Sequence, residues 1–337
     1  MKKGNRTLMS AKIIFAVLVV SAAWFGYRYF QRVYYMHQTD KLMAVRQAET
    51  EKDPEVSVIM PTYNRAASLP RAINSILAQT YQNFELIVIN DGAKDNTAEI
   101  LYHYMLKDKR VKVINHWQNK GIIDGLNDGL YAARGKYIAR MDDDDFSYEK
   151  RLEKQVEYLT QNPEIALVGS FIASGNPEYD RQWSYTNPDE TKLMHYLGET
   201  PVCHPAIMVR RDFLQENNIK YRHDYIYAED RPFYGDVLAA GGKISNVPEV
   251  LFHFRVHSSN SHEYYSKQDD SCYRYHMDYI NLLLDVNMFE YLDKCRLLRK
   301  LSKYNEEHNW VSPQAIEVMR KRHKCVDEPQ ETEAEPA

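Results

Sequence analysis

Four consecutive aspartates, Asp142 to Asp145, end the apolar run Lys136-Tyr-Ile-Ala-Arg-Met141. Carboxylates set this close repel one another unless positive charge sits among them. A hard divalent cation, Mn²⁺ or Mg²⁺, takes oxygen ligands of this kind and commonly shares them with the oxygens of a substrate diphosphate. The run therefore points to nucleotide chemistry, with a solvated acidic loop as the competing reading. Position separates the two. A strand that delivers acids to the carboxyl edge of an open α/β sheet puts them where such sheets bind ligands. Asp91, in Asn90-Asp91-Gly92 after Phe84-Glu-Leu-Ile-Val-Ile89, meets the same condition. An ordinary Asp-Gly turn is its bland alternative.

The elements that must hold these acids are legible as alternating apolar runs. Val56-Ser-Val-Ile-Met60 reads as a strand, followed by a helix with Leu69, Ile73, Ile76 and Leu77 at helical spacing and Ser68 as its cap. Phe84 to Ile89 and Val111 to Ile114 read as strands, with Ile100, Leu101, Tyr104 and Met105 outlining the helix between them. A helix from about Ile122 to Arg134 closes on Gly135 as a glycine stop, before the strand that delivers the aspartates. Leu152, Val156 and Leu159 mark another helix and Ile165 to Val168 another strand. This alternation predicts an α/β fold with a mostly parallel sheet and flanking helices. The stretch 176–200 reads as a loop over an acceptor cleft, and the chain from about His262 to Lys324 reads as helical.

With 337 residues, 44% apolar and 12% aromatic, the chain is long enough for a substantial core. The net charge of −4 comes from the tail after Cys325, which carries five acids and no base. No global basic field points to nucleic acid as a partner. Cys203, Cys272, Cys295 and Cys325 form no C-x-x-C pair, so reduced thiols are expected. Ile13 to Tyr27 is free of charge and flanked by basic residues, which predicts a single-pass membrane anchor rather than a cleaved signal peptide. Its fifteen residues reach only ~22 Å of a roughly 30 Å hydrocarbon core, so Lys12 and Arg28 would have to snorkel. The expected organisation is an N-terminal transmembrane helix at 1–30, a stalk at 31–54, a catalytic domain at 55–261, a helical C-terminal extension at 262–325 and a disordered acidic tail at 326–337.

Ser57-Val-Ile-Met-Pro-Thr-Tyr-Asn-Arg65, Glu85-Leu-Ile-Val-Ile-Asn-Asp-Gly92 and Gly135-Lys-Tyr-Ile-Ala-Arg-Met-Asp-Asp-Asp-Asp145 resemble the family 2 glycosyltransferases of GT-A fold, a Rossmann-like sheet with flanking helices. The likeness runs roughly from Val56 to His257. It implies inverting transfer of a hexosyl or N-acetylhexosaminyl group from a nucleotide-sugar donor, of UDP type, to a lipid-linked or cell-surface glycan or glycolipid acceptor.

By position, the resemblance gives Pro61 and Tyr63 to the nucleotide base, Asp91 to the base N–H and Arg65 to the pocket mouth. Lys120 and Asn127 match donor-site positions. Asp142-x-Asp144 matches the D-x-D element, with Asp142 near the ribose, Asp143 beside it and Asp144 on the metal. Tyr227-Ala-Glu-Asp230 matches the E-D element, so Asp230 is the expected general base with Glu229 as neighbour. His257 matches a histidine that reaches the metal or diphosphate, and His204 a stretch beside the acceptor. Asn90 stands where the family commonly has a second acid, and no Q-x-x-R-W element is present, which implies addition of single sugars.

Two other classes stay open: a non-catalytic glycan-binding or scaffold module, and a nucleotidyltransferase. The second usually needs a glycine-rich first loop, and Pro61 to Arg65 has no glycine. A bacterial inner membrane, with the domain in the cytoplasm, is the expected location.

Overall fold

The run that begins at Val56 becomes β1 (Val56–Thr62), and the run at Phe84 becomes β2 (Phe84–Asp91); every residue of both is buried. Strands covered on both faces have no solvent side, which is why these segments read as nearly continuous apolar runs, interrupted by buried Ser57 and Glu85. In this computed structural model, residues 3–47, 53–175, 185–255, 271–272, 274–281, 284 and 293–325 are described. The chain divides into two units, Met1–Glu149 and Lys150–Ala337.

In the first unit, β1 pairs in parallel with β2 and with β4 (Tyr137–Arg140), and β2 pairs in parallel with β3 (Val111–His116). The strand order is β3-β2-β1-β4. All four carboxyl ends therefore point the same way, and Asp91 stands opposite His116 in the register. Helices α2 (Leu69–Leu77), α3 (Thr97–Lys107) and α4 (Ile122–Ala132) connect these strands. Ser68 sits at the N-cap of α2 as expected but makes no side-chain cap bond. α4 approaches the sheet through glycines: a Cβ at Gly129 would stand 2.4 Å from the Ile59 Cγ2. Gly135 is not a left-handed helix stop. A Cβ there would meet the Ser57 nitrogen at 2.5 Å, so its role is close passage over the β1 backbone. A two-residue strand, β5 (Phe146–Ser147), ends the unit.

Residues Lys3–Gln47 form one helix, α1. No helix among the described residues is long and apolar enough to cross a membrane. The expected transmembrane anchor, and with it the single-pass inner-membrane placement, is corrected accordingly. The physical reason lies in length: the charge-free run is fifteen residues and passes without a break into polar helix. The segment read as a stalk is, up to Gln47, part of α1 and packs on α3 and β3. Met36 and Thr39 are fully buried there. Arg32 donates to the Trp117 carbonyl at 2.9 Å, Arg28 donates to the Asn96 side chain, and Asn115 donates to Asp40 at 2.9 Å.

The second unit opens with α5 (Arg151–Gln161), which packs on β6 (Ile165–Ala173). β6 pairs antiparallel with β7 (Met208–Arg210) and parallel with β8 (Lys243–His253). Within the stretch read as a loop, residues 188–196 form α6 (Pro188–Tyr196), capped by the Asn187 side chain. Its acids at the start and buried Leu193 and Met194 are the amphipathic signal behind it. Short α7 (Arg211–Glu216) and α8 (Asp230–Ala239) follow.

Two further helices, α9 (Lys294–His308) and α10 (Pro313–Arg322), bury Leu297, Leu301, Ile316 and Met319 with residues of α6 in one apolar cluster. Each such side chain, fully buried, contributes roughly 1.5–3 kcal/mol. Cys295 and Cys325 are joined in a disulfide with Cα atoms 5.4 Å apart, which corrects the expectation of reduced thiols for this pair. His257 and the acidic tail at 326–337 lie outside the described residues.

Candidate functional site

The carboxyl ends of β1, β2, β3 and β4 carry the first unit's chemistry. Carboxylate oxygens of Asp142, Asp144 and Asp145 lie within 4.8 Å of one another, a spacing that suits ligation of one cation. Three carboxylates are a hard oxygen set, so Mn²⁺ or Mg²⁺ fits this chemistry better than a soft metal. Asp145 is buried and was missed as a member of the group, although it ends the same run.

Positive charge of the chain's own also meets the aspartates. Arg140 grips Asp142 with both terminal nitrogens, at 2.8 and 2.6 Å. Arg65, half exposed, lies 3.9 Å from Asp143 and 3.6 Å from Asp144. Burial pushes the Asp142 carboxyl up, and Arg140 pulls against that shift. Asp143 is not in the close group. It is buried, and burial pushes its carboxyl up to about 7, with the nearby Thr62 hydroxyl and Arg65 pulling the other way.

Pro61 is buried within β1, opposite Ile89, whereas Tyr63 is exposed just beyond the strand end. The loop between them and α2 is tied to the one after β2. The Asn64 side chain, on a backbone at φ 55°, accepts from the Lys94 N–H at 2.7 Å, and Asp95 accepts from the Ala66 N–H at 2.9 Å.

Asp91 is held from several sides. Its Oδ1 accepts from the Lys120 N–H at 2.8 Å and lies 2.7 Å from His116 Nδ1, and its Oδ2 accepts from the Gly121 N–H at 2.9 Å. Lys120 reaches Asp128 at 3.6 Å, and Asn127 sits half-buried on α4. Gly92, at φ 71°, passes so near Gln118 that a Cβ would stand 2.5 Å from its carbonyl carbon. That contact fixes the two loops together.

In the second unit, Glu229 and Asp230 start α8 and are half-buried. Tyr227, just before them, has φ 70°, an uncommon conformation for a bulky residue. Arg231 anchors the helix start: its Nη1 donates to the Gly198 carbonyl at 2.9 Å and lies 2.8 Å from His276 Nε2. His204 is buried with Nε2 2.9 Å from the Tyr221 hydroxyl.

Comparison with known proteins bears on these features. A family model described as glycosyl transferase family 2 matches residues 57–217. An uncharacterized glycosyltransferase of Haemophilus influenzae is 34% identical over 234 residues, 65% of this chain and 71% of that protein. The crystal structure of S. aureus TarS 1–349 in complex with UDP-GlcNAc is similar at a TM-score of 0.55 and 18% identity, over 77% of this chain and 82% of that one. Mannosyltransferase PcManGT from Pyrobaculum calidifontis, in complex with GDP-Man and Mn²⁺, gives 0.57 at 16% identity, over 93% and 87%. At these identities the structural likeness establishes the GT-A-like fold.

Proposed function

Because the chain belongs to glycosyl transferase family 2, we propose that it moves a sugar from a uridine diphosphate donor to a hydroxyl of a glycan acceptor, with a divalent metal and with inversion. The observation that carries the reading is the close carboxylate group of Asp142, Asp144 and Asp145 after β4. Asp144, with Asp142 and Asp145 beside it, would hold Mn²⁺ or Mg²⁺. Bound there, the cation supplies Lewis-acid stabilisation of charge on the departing nucleotide diphosphate, an effect of several kcal/mol in such reactions. Arg65 steadies Asp143 and Asp144, and Arg140 sets the orientation of Asp142.

Asp91 takes the base N–H, and Tyr63 and Pro61 line the base. Asp230 is the general base, a role resting on the E-D resemblance; its place in the first turn of α8 is also what a structural helix-start carboxylate would have. A helix N-terminus favours the ionised carboxylate, the form able to accept a proton. The acceptor O–H gives that proton to Asp230 as its oxygen bonds to the anomeric carbon. The bond from that carbon to the diphosphate oxygen breaks, and the electron pair leaves with the nucleotide.

The bound ligands of the structural neighbours, UDP-GlcNAc in TarS and GDP-Man in PcManGT, define the first donors to test. Nucleotide release from UDP-GlcNAc, UDP-glucose and GDP-mannose, measured with and without Mn²⁺, is expected to be greatest with a UDP-sugar and to need the metal. Release that is equally fast with a chelator present would contradict the reading.

A further inference from the structure

We propose that His116 is a positioning residue for the nucleotide end of the donor site, holding Asp91 in the orientation its contact with the base requires. The proposal rests on the reading above, in which Asp91 takes the base N–H. His116 is the last residue of β3 and stands opposite Asp91, the last residue of β2. Its ring bridges two carboxylates: Nδ1 lies 2.7 Å from Asp91 Oδ1, and Nε2 lies 2.7 Å from Asp128 Oδ2 on α4. The His116 and Asp91 side chains are only 3% and 6% exposed, whereas Asp128 is 43% exposed. One ring thus ties the ends of two strands to a helix.

A carboxylate offers about four acceptor positions. In Asp91 three partners are already placed, the imidazole and the Lys120 N–H on Oδ1 and the Gly121 N–H on Oδ2. The carboxylate is therefore fixed in rotation and has one direction left on Oδ2, the one available to a base N–H. Without the ring, the two backbone N–H groups alone would define its plane, and the space left beside it would let it turn. His116 acts through Asp91, so its effect belongs to the nucleoside half of the donor and not to the diphosphate half.

Affinities of UDP and of inorganic diphosphate, each with Mn²⁺, measured calorimetrically on the full chain, separate this role from general support of the fold. His116→Ala is expected to weaken UDP about tenfold or more, the loss of one buried hydrogen bond, while diphosphate stays within about threefold. His116→Asn places an amide nitrogen near the position of Nδ1 and is expected to recover most of the UDP affinity. Asp128→Ala changes a half-exposed residue and so tests the other end of the bridge even if His116→Ala does not fold. It is expected to weaken UDP about two- to fivefold with diphosphate unchanged. Equal losses for UDP and diphosphate in the folded variants, or no loss for UDP in any of them, would overturn the proposal. Wild-type protein that binds no nucleotide with Mn²⁺ would instead overturn the donor-site reading itself.

Discussion

The roles proposed for Asp144 and Asp230 differ, and their amide variants should separate them. Asp144→Asn removes a charged ligand at the carboxylate group. Transfer should fall about 10²–10³-fold, with the Mn²⁺ dependence moved to higher concentration in initial-rate titrations. Asp230→Asn should lower kcat about 10²–10⁴-fold while nucleotide affinity stays near that of the wild type. Full transfer by that variant would remove Asp230 from the mechanism. Arg140→Met should cost about 3 kcal/mol in denaturant unfolding, because it leaves the Asp142 carboxylate without the guanidinium that grips it. The aspartate run and Asp91 were legible in the sequence because acids directly after buried strands have few structural reasons to be there. Arg140 and His116 were not: Arg140 lies inside the run quoted for the resemblance but was given no role there, and His116 stands in no motif. Arg140 carries a weak signal, two residues before Asp142 on a strand; the signal of His116 appears only once the register sets it opposite Asp91.

Among the elements, α4 makes the sharpest contrast. A Cβ at Gly125 would have ordinary contacts at 3.6 and 3.7 Å, whereas one at Gly129 would meet Ile59 at 2.4 Å. Gly125→Ala should therefore stabilise by up to about 1 kcal/mol through helix propensity. Gly129→Ala should destabilise by about 1–3 kcal/mol as α4 is pushed off β1, both read from denaturant midpoints. The disulfide closes a separation of 30 residues around α9 and α10. Loop-closure entropy assigns it about 3–4 kcal/mol, so the Cys295→Ser/Cys325→Ser variant should unfold at lower denaturant than the oxidised protein. The parallel strands were readable because apolar residues dominate their runs, broken only singly by Ser57, Glu85 and Lys112. α6 was harder, as it buries Thr191 and His195 beside Leu193, Met194 and Tyr196, so its buried side does not coincide with an apolar stripe. The packing of α1 was hidden because, among its described side chains, one buried methionine and one buried threonine make too small a stripe to stand out.

For the molecule as a whole, two buried histidines set a pH dependence. Burial, with Arg231 adding to it, pushes His195 down to about 3, and His276 is pushed well down for the same reasons. Unfolded imidazoles take up protons near pH 6.5, but these two stay neutral in the fold far below that. Their contribution is complete above about pH 6.5 and is lost as the pH falls, by roughly 1.4 kcal/mol per pH unit for each. Buried Asp143, held up to about 7, takes up its proton in the fold over the same range and opposes this loss, so the histidine effect is read by difference: between pH 7 and pH 5 the unfolding midpoint of His195→Asn, which does not titrate there, should fall less than that of the wild type or rise more. The central claim is that the carboxylate group after β4 binds a nucleotide diphosphate through a divalent metal. Its most direct test is thermal unfolding of the full chain with UDP, with and without Mn²⁺, beside Asp144→Asn. The account predicts a rise of several degrees that needs both UDP and Mn²⁺ and is lost in the variant. A rise that is equal without metal, or that survives Asp144→Asn undiminished, would contradict it.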